Sequence, residues 1–483
     1  MNVVFTFLVD WTHHLATELE LLHKHIEQGD SVAILTCLND VPSCITQPSA
    51  SLAGCRRCIE LRQKAIGLLP ESVRMNSLSE FLTPEDYQEE GLIDPSFKDI
   101  EHAKHFRVDD WDCGYAAVST TIHNFRDHNL STPESQNAYR GLVISGFRAH
   151  RAMSHYLSSH KDVDRVYLFN GRFAMARGIM RACQRQGVDA YMHERGANNT
   201  KYQLFKNHLP HDRPPFLESL NDAWHSADPE VRETEGATFF TNRRMGIEDG
   251  WTSFTKKQRT GFLPESWDPA QRNLVIFNSS EDEFIGIGEE WKNPIYPSQG
   301  IAIQQIANDL QNTGMKIYVR MHPNLSGVNN SDTDLIKLLD GKGVEIILPE
   351  SRISTYDLIG HAEKVLSFGS TVGVEANYWG TPSVLAGMSF YRELGATYNA
   401  QSHQDVLELL QAKLSPKHRL GALQYGYYLR TFGIPFEYYK ANSFHSGCYQ
   451  GQQFPPSTRR TKRSQRIINT GRSLFRNYFR KAG

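Results

Sequence analysis

No stretch of the 483 residues approaches the roughly 20 consecutive apolar residues that a helix needs to cross a bilayer. The opening run, Met1 to Asp10, also lacks a basic start followed by a long apolar core, so it has not the build of a secretory signal. A cytoplasmic chain is the expectation. Cysteine is scarce, seven in all, and in such a compartment a disulfide framework is not expected. Neither sign of charge dominates, since 52 Lys and Arg meet 54 Asp and Glu. No DNA- or RNA-binding motif appears either, and nucleic acid is not an expected partner. What is present is 40% hydrophobic and 22% charged, an ordinary globular balance with length enough for two or three domains.

The chain is organised around Lys364 to Tyr391, which parses as strand, tight turn, helix, turn, strand. VLSF is a short apolar run of the kind found in buried parallel strands. Gly369, Ser370 and Thr371 then form a small-residue loop before a helix starting near Val372. A hydroxyl of Ser370 or Thr371 is expected to cap that helix, whose unpaired N–H groups favour an anion. Glu375, one turn in, is placed to reach back toward whatever the loop binds. Ligands in doubly wound sheets sit at the carboxyl edge of the strands, which is where this turn belongs.

Fifty residues upstream, Met315 to Asn324 reads MKIYVRMHPN. A buried strand rarely ends in Arg320 and His322 unless they face a cleft. Pro323 breaks the ladder and turns the chain outward, carrying Asn324 with it. His322 can donate to a phosphate oxygen, and Arg320 can clamp one bidentately. Ser354 and Tyr356, in the loop and helix start before the organising stretch, are further nucleotide contacts.

The pair RMHPN and FGSTVGVEANYWGTPSV resembles the nucleotide-binding half of bacterial capsule-polysaccharide glycosyltransferases. It is also similar to the wider set of GT-B enzymes with a His-Pro motif, among them CMP-sugar sialyl- and Kdo-transferases and CDP-glycerol polymerases. The likeness spans about residues 270 to 395. It implies that His322 and Pro323, with Ser370 and Thr371, bind the donor's phosphate, with no cofactor required for catalysis. It implies an α/β fold of two Rossmann-like, doubly wound domains facing a cleft, with the last helices crossing back to the first domain.

The first half offers the acceptor side. Residues 2 to 37 read as strand, helix and strand, with Asp10, His13 and His14 in the loop after the first strand. VYLF and AYMH are two further strands flanking a helix from Arg172 to Gln186. They deliver Asn170, Arg172, Glu194 and Arg195 to one edge, with Arg177 a turn into the helix. Glu194, or Asp10, is the expected general base, because a carboxylate near Arg in a cleft is tuned by its surroundings. Cys37, Cys44, Cys55 and Cys58 are four thiols within 22 residues, a candidate structural zinc site, although gaps of six and ten residues are not those of a zinc ribbon. Residues 197 to 262 are expected to be irregular. Glu281, Asp282 and Glu283 follow the strand NLVIF at another carboxyl edge, as ligands for a metal or a sugar hydroxyl.

The expected organisation is an acceptor-side domain over 1–262, a linker over 263–272, a nucleotide-donor domain over 273–432 and an extension over 433–483. From Gly451 onward there is no Asp or Glu, but there are nine Lys and Arg. Ile467, Ile468, Leu474, Phe475, Tyr478 and Phe479 share one helical stripe. A basic amphipathic helix of this kind is expected to lie on an anionic membrane surface. The function expected is transfer of a sugar from a CMP-, CDP- or UDP-linked donor to a surface polysaccharide or lipid-linked acceptor. The alternatives are a CDP-glycerol-type phosphotransferase of the same fold, and a nucleotide-binding scaffold without catalysis.

Overall fold

A computed structural model describes residues 1–248, 253, 255–281, 284–328 and 331–457. The first sheet takes β1 (Asn2–Phe5), β2 (Ser31–Thr36), β3 (Met75–Ser77), β4 (Arg165–Phe169), β5 (Asp189–Arg195) and β6 (Lys201–Lys206). Their order is β6-β5-β4-β1-β2-β3, parallel except for β6, which runs antiparallel to β5. The connections are α1 (Thr12–Glu27), α2 (Leu52–Ile66), α3 (Pro84–Glu90), α4 (Ile100–His105), α5 (Cys113–Phe125), α6 (Pro133–Ser159) and α7 (Ala174–Gln186). Side chains of a strand alternate between faces. Val3 and Phe5 therefore bury against Leu15 and Leu19 of α1. Val4, Val166 and Leu168 bury against α6 and α7 on the other face. Covered on both faces, the strands read as continuous apolar runs.

Two helices follow, α8 (Arg213–Ser226) and α9 (Pro229–Arg244). The second sheet takes β7 (Arg272–Phe277), β8 (Met315–Arg320), β9 (Val344–Ile347), β10 (Lys364–Ser367), β11 (Ser383–Leu385) and β12 (Tyr398–Asn399). It is parallel throughout, in the order β12-β11-β10-β7-β8-β9. Its helices are α10 (Gln299–Leu310), α11 (Ser331–Lys337), α12 (Thr355–His361), α13 (Val372–Tyr378), α14 (His403–Gln411) and α15 (Leu420–Thr431). Leu274, Ile276, Ile317 and Val319 form one face of its core, and Val275, Phe277 and Tyr318 the other. The architecture is thus two Rossmann-like α/β units. The chain order reverses between β1 and β4 in one sheet and between β7 and β10 in the other, the places where such sheets open a crevice.

Residues 201–244 are not irregular. β6, α8 and α9 lie in them, and the Pro residues that suggested a break sit in the first turns of the two helices. Pro is tolerated there because those N–H groups have no helical partner. Asp228 caps α9 by accepting from the N–H groups of Glu230 and Val231. Leu220, Phe239 and Phe240 then bury against Val374, Tyr378, Tyr425 and Tyr428 of α13 and α15, so these helices pack on the second unit.

The end of the chain crosses back. β13 (Ile434–Pro435) pairs antiparallel with β6 and completes the first sheet at seven strands. β14 (Tyr439–Ser443), β15 (Ser446–Tyr449) and β16 (Gln452–Phe454) form a small antiparallel sheet whose Tyr439, Tyr449 and Phe454 join the α1 core. The buried Glu20 carboxylate accepts from the N–H groups of Glu437 (2.7 Å) and Tyr438 (2.9 Å), which fixes the crossing. The basic stretch from 458 onward lies outside the described residues. No helix among the described residues is long and apolar enough to cross a membrane.

Candidate functional site

A cleft open to solvent lies at the carboxyl edge of the second sheet. Phe277 and Asn278 reach it from β7, Arg320, His322 and Pro323 from β8, and Ser370, Thr371, Val372 and Glu375 from the turn after β10. The two motifs fifty residues apart therefore share one cavity. Asn278 is buried and its Oδ1 accepts from the His322 N–H (2.8 Å), which aims the His-Pro turn. The Asn324 N–H donates to His322 Nδ1 (3.1 Å), so the neutral ring carries its proton on Nε2. Asn324 does not line the cleft. Its carbonyl accepts from Arg126 (2.8 Å), whose other nitrogen reaches Ser280 Oγ (2.8 Å), so the first unit holds the turn from behind.

The turn after β10 depends on Gly369, at φ +151°, where a Cβ would stand 2.6 Å from the Met388 carbonyl oxygen. The buried Tyr391 hydroxyl donates to the Ser370 carbonyl (2.6 Å). Ser370 Oγ accepts from the Val372 N–H (3.4 Å) and retains its own proton. Thr371 differs. Its hydroxyl donates to Glu375 Oε1 (3.0 Å) and accepts from Arg243 Nη2 (3.0 Å), so it neither caps α13 nor has a proton left for a phosphate.

Glu375, 1% exposed, is the hub. Arg243 Nε donates to its Oε1 (2.9 Å) and the Tyr356 hydroxyl to its Oε2 (2.5 Å). Burial, and then the Glu375 carboxylate, push the Tyr356 phenol well above its ordinary range, so Tyr356 stays a donor. Burial opposes the Arg243 charge, but Glu375 outweighs it and holds Arg243 firmly protonated. Arg320 is not a phosphate clamp. Its guanidinium donates to the carbonyls of Leu348 and Ser351 (3.2 Å to Ser351), and burial pulls it down to about 10. It ties the loop before α12 to β8. Ser354 caps α12 by accepting from the Asp357 N–H (3.1 Å) and lies off the cleft.

None of the first-half candidates lines this cleft. Glu194 sits beside the crevice between β1 and β4. It accepts from Asn170 Nδ2 (2.6 Å) and from the Arg195 N–H (2.9 Å), and His14 Nε2 lies 3.5 Å from its Oε1. Asn170 adopts the left-handed conformation, φ +59°, which Asn tolerates better than most residues. His13 and His14 are not solvated. Burial brings His13 down to about 3 and holds His14 well below its usual value, so both stay neutral. Arg195 stacks 4.6 Å over the Phe444 ring of the returning hairpin, and Arg172 4.6 Å over Phe173. Asp10 is half-buried at the end of the loop after β1.

Arg177 faces a different cleft and pairs with Asp112 (2.9 Å), which Arg181 also holds (2.7 Å). Burial raises the Asp112 carboxyl, but the Arg181 hydrogen bond and the two guanidinium charges win and bring it to about 2. This is a structural ion pair. Glu281 accepts from the Gln299 N–H (3.3 Å) at the start of α10. A carboxylate there complements the positive end of that helix. Glu283 lies outside the described residues.

No three of Cys37, Cys44, Cys55 and Cys58 bring their sulfur atoms within 4.8 Å of one another. Among the described residues, the one group of three or more His, Cys, Asp or Glu with ligand atoms within 4.8 Å of one another is Glu101, His105 and Glu289. Burial pushes the Cys58 thiol up to about 12 and raises Cys37, so both stay protonated thiols in the metal-free protein. Cys44 Sγ is occupied by the Gln47 N–H (3.2 Å).

The residues that the sequence did not disclose are Asn278 and Arg243. Asn278 had a signal, a polar residue ending the apolar strand NLVIF just as Asn170 ends VYLF. Arg243 had none, being one of two Arg at the end of a helix whose partner is far away in sequence.

No family model and no curated protein matches this chain. Solved structures do. KpsC from Thermosulfurimonas dismutans, a β Kdo 2,4 transferase, is 13% identical over 55% of this chain and 79% of its own, with a TM-score of 0.35. UDP-GlcNAc 2-epimerase from Neisseria meningitidis, bound to UDP-GlcNAc, is 11% identical over 88% of this chain and 97% of its own, with a TM-score of 0.30. The glycosyltransferase SnogD from Streptomyces nogalater is 11% identical over 89% of this chain and 94% of its own, with a TM-score of 0.23.

Proposed function

We propose that this chain is a glycosyltransferase that moves a sugar from a CMP-, CDP- or UDP-linked donor to a polysaccharide or lipid-linked acceptor. One observation carries the reading. The Nε2–H of His322 and the hydroxyl of Ser370 meet in a single cleft at the switch point of a parallel sheet. Both are held by buried partners, Asn278 and Tyr391, so they are organised before a ligand arrives. Donors fixed in advance around a leaving phosphate stabilise the charge that develops as the glycosidic bond breaks. On the acceptor side Glu194 is the proposed base, with neutral His14 beside it and Asn170 holding it in place.

Thermal shift against CMP, CDP, UDP and GDP and their sugars tests the donor. A ligand at a hundred times its Kd stabilises the folded state by about 2.7 kcal/mol, which is several degrees of melting temperature. One pyrimidine nucleotide is expected to give that shift, and release of nucleotide from its sugar conjugate follows if the chain is catalytic. No shift with any of them rejects the reading.

A lipid-linked acceptor accounts for the acid-free basic tail, proposed to hold the enzyme on an anionic membrane. Each cation near such a surface contributes about 1 kcal/mol, and salt screens it. Full-length protein is expected to co-sediment with anionic vesicles at low salt, and a chain ending at Pro456 to stay in solution. Equal recovery of the two removes the membrane role.

A further inference from the structure

We infer that Arg243 is the cation that neutralises the donor's leaving phosphate, and that Glu375 and Thr371 are its positioning residues. The inference rests on the donor-cleft reading above and assigns a role within it. In the transfer, the bond between the anomeric carbon and the phosphate oxygen breaks and its electron pair stays on that oxygen. The acceptor oxygen supplies the pair for the new bond, and its proton passes to a carboxylate. A full negative charge therefore builds on the phosphate, and a neutral His322 and a serine hydroxyl offer no charge against it.

Arg243 lines the cleft with its side chain 31% exposed. Its Nε is bound to Glu375 and its Nη2 to Thr371, and the same guanidinium lies within hydrogen-bonding reach of the Tyr356 hydroxyl. The guanidinium is planar, so fixing two of its nitrogens fixes the direction of the third. The other cations are engaged elsewhere. Arg320 is tied to the carbonyls of Leu348 and Ser351, and Arg430 to Glu235 (2.8 Å). Thr371, which a His-Pro enzyme would turn on the phosphate, has given its only proton to Glu375. Its place as a phosphate donor passes to the guanidinium that it supports.

The buried Glu375 has a reason to be there in this arrangement. Its charge is compensated by Arg243, and its second oxygen by Tyr356, so the three form one connected network on the wall of the cleft. A point charge on a flexible stem would not be held in that way, which separates Arg from Lys at this position.

The test compares cytidine with CMP and CDP, and uridine with UMP and UDP, by titration calorimetry on the full chain. Wild type is expected to bind the phosphorylated forms roughly 100-fold more tightly than the nucleoside, the scale of one charge-assisted contact and its neighbours. Arg243→Gln is expected to lose at least about 10-fold of that increment while keeping the nucleoside affinity. Arg243→Lys is expected to fall between, and Thr371→Val to lose part of the increment with Arg243 still present. Arg243→Gln that keeps the whole increment, in a wild type that binds nucleotides, overturns the assignment of Arg243 alone. Wild type that binds no nucleotide overturns the donor cleft and this inference together. If Arg243→Gln fails to fold, Arg243→Lys and Thr371→Val decide, and full wild-type increments in both overturn the inference.

Discussion

Replacing His322 with Ala is expected to reduce kcat/KM for transfer by about 100-fold or more, with the melting temperature within a few degrees of wild type. The ring does two things. Its Nδ1 accepts the Asn324 N–H, and its Nε2 presents a proton to the cleft. The first is a local turn contact near the surface, and its loss is a modest stability effect. In the proposed transfer the second acts where charge develops, and loss of one such donor typically costs about 3 kcal/mol of transition-state stabilisation. His322→Asn, which keeps a cap for the Asn324 N–H, is expected to recover the melting temperature but not the rate. Turnover unchanged in His322→Ala would remove the phosphate role of the His-Pro turn. The rate is measured by nucleotide release in the presence of acceptor, the fold by circular dichroism.

Gly236→Ala is expected to destabilise the protein by about 2 kcal/mol, although Ala favours a helix over Gly by about 1 kcal/mol. α9 and α15 cross at two glycines. A Cβ at Gly236 would stand 2.5 Å from the Leu423 carbonyl oxygen, and one at Gly426 2.5 Å from the Gly236 carbonyl oxygen. The helices touch through backbone, with no flexible side chain to give way. Ala therefore pushes α9 off α15. Arg243 lies seven residues on, about two turns and the same helical face, so it moves with the displacement. A fall in melting temperature and a weaker phosphate increment are expected together. Gly360→Ala in α12 is the control, because nothing lies within 4 Å of its Cβ and the propensity gain appears unopposed. If the Gly236 variant melts at or above wild type, the close crossing is not what holds α9.

Much of the fold was legible from apolar runs and turn residues. β8, β10 and β11, with the loop between Gly369 and Thr371, stand where VRMHPN and FGSTVG placed them, because a buried parallel strand leaves an unbroken apolar run that ends sharply at the polar edge. The site was legible only by residue type. Arg320, His322, Thr371 and Glu375 do meet at one cleft, but three of the four, Arg320, Thr371 and Glu375, spend their hydrogen bonds on protein partners. A sequence shows which groups arrive at a sheet edge and not which partner each one finds.

α8 and α9 were missed because their first turns carry Pro and their apolar faces are narrow. What makes them helices is α15, some two hundred residues later, which supplies the surface that Phe239 and Phe240 bury. Most helical stability comes from such packing rather than from propensity. The cysteines show the converse. Nearness in sequence suggested a shared ligand, yet α2 carries Cys55 and Cys58 while Cys37 and Cys44 lie outside it, and no three of the thiols meet.

By itself the sequence determined where the buried strands β8 and β10 end and which polar residues stand at their carboxyl edges, since each follows from the sharp termination of a short apolar run. Only the tertiary structure decided that Thr371 is spent on Glu375, that Arg320 binds carbonyls, and that Arg243 enters the cleft from the segment between the sheets. The reason is that a hydrogen bond is settled by distance and angle among groups far apart in the chain, and local pattern carries no information about either.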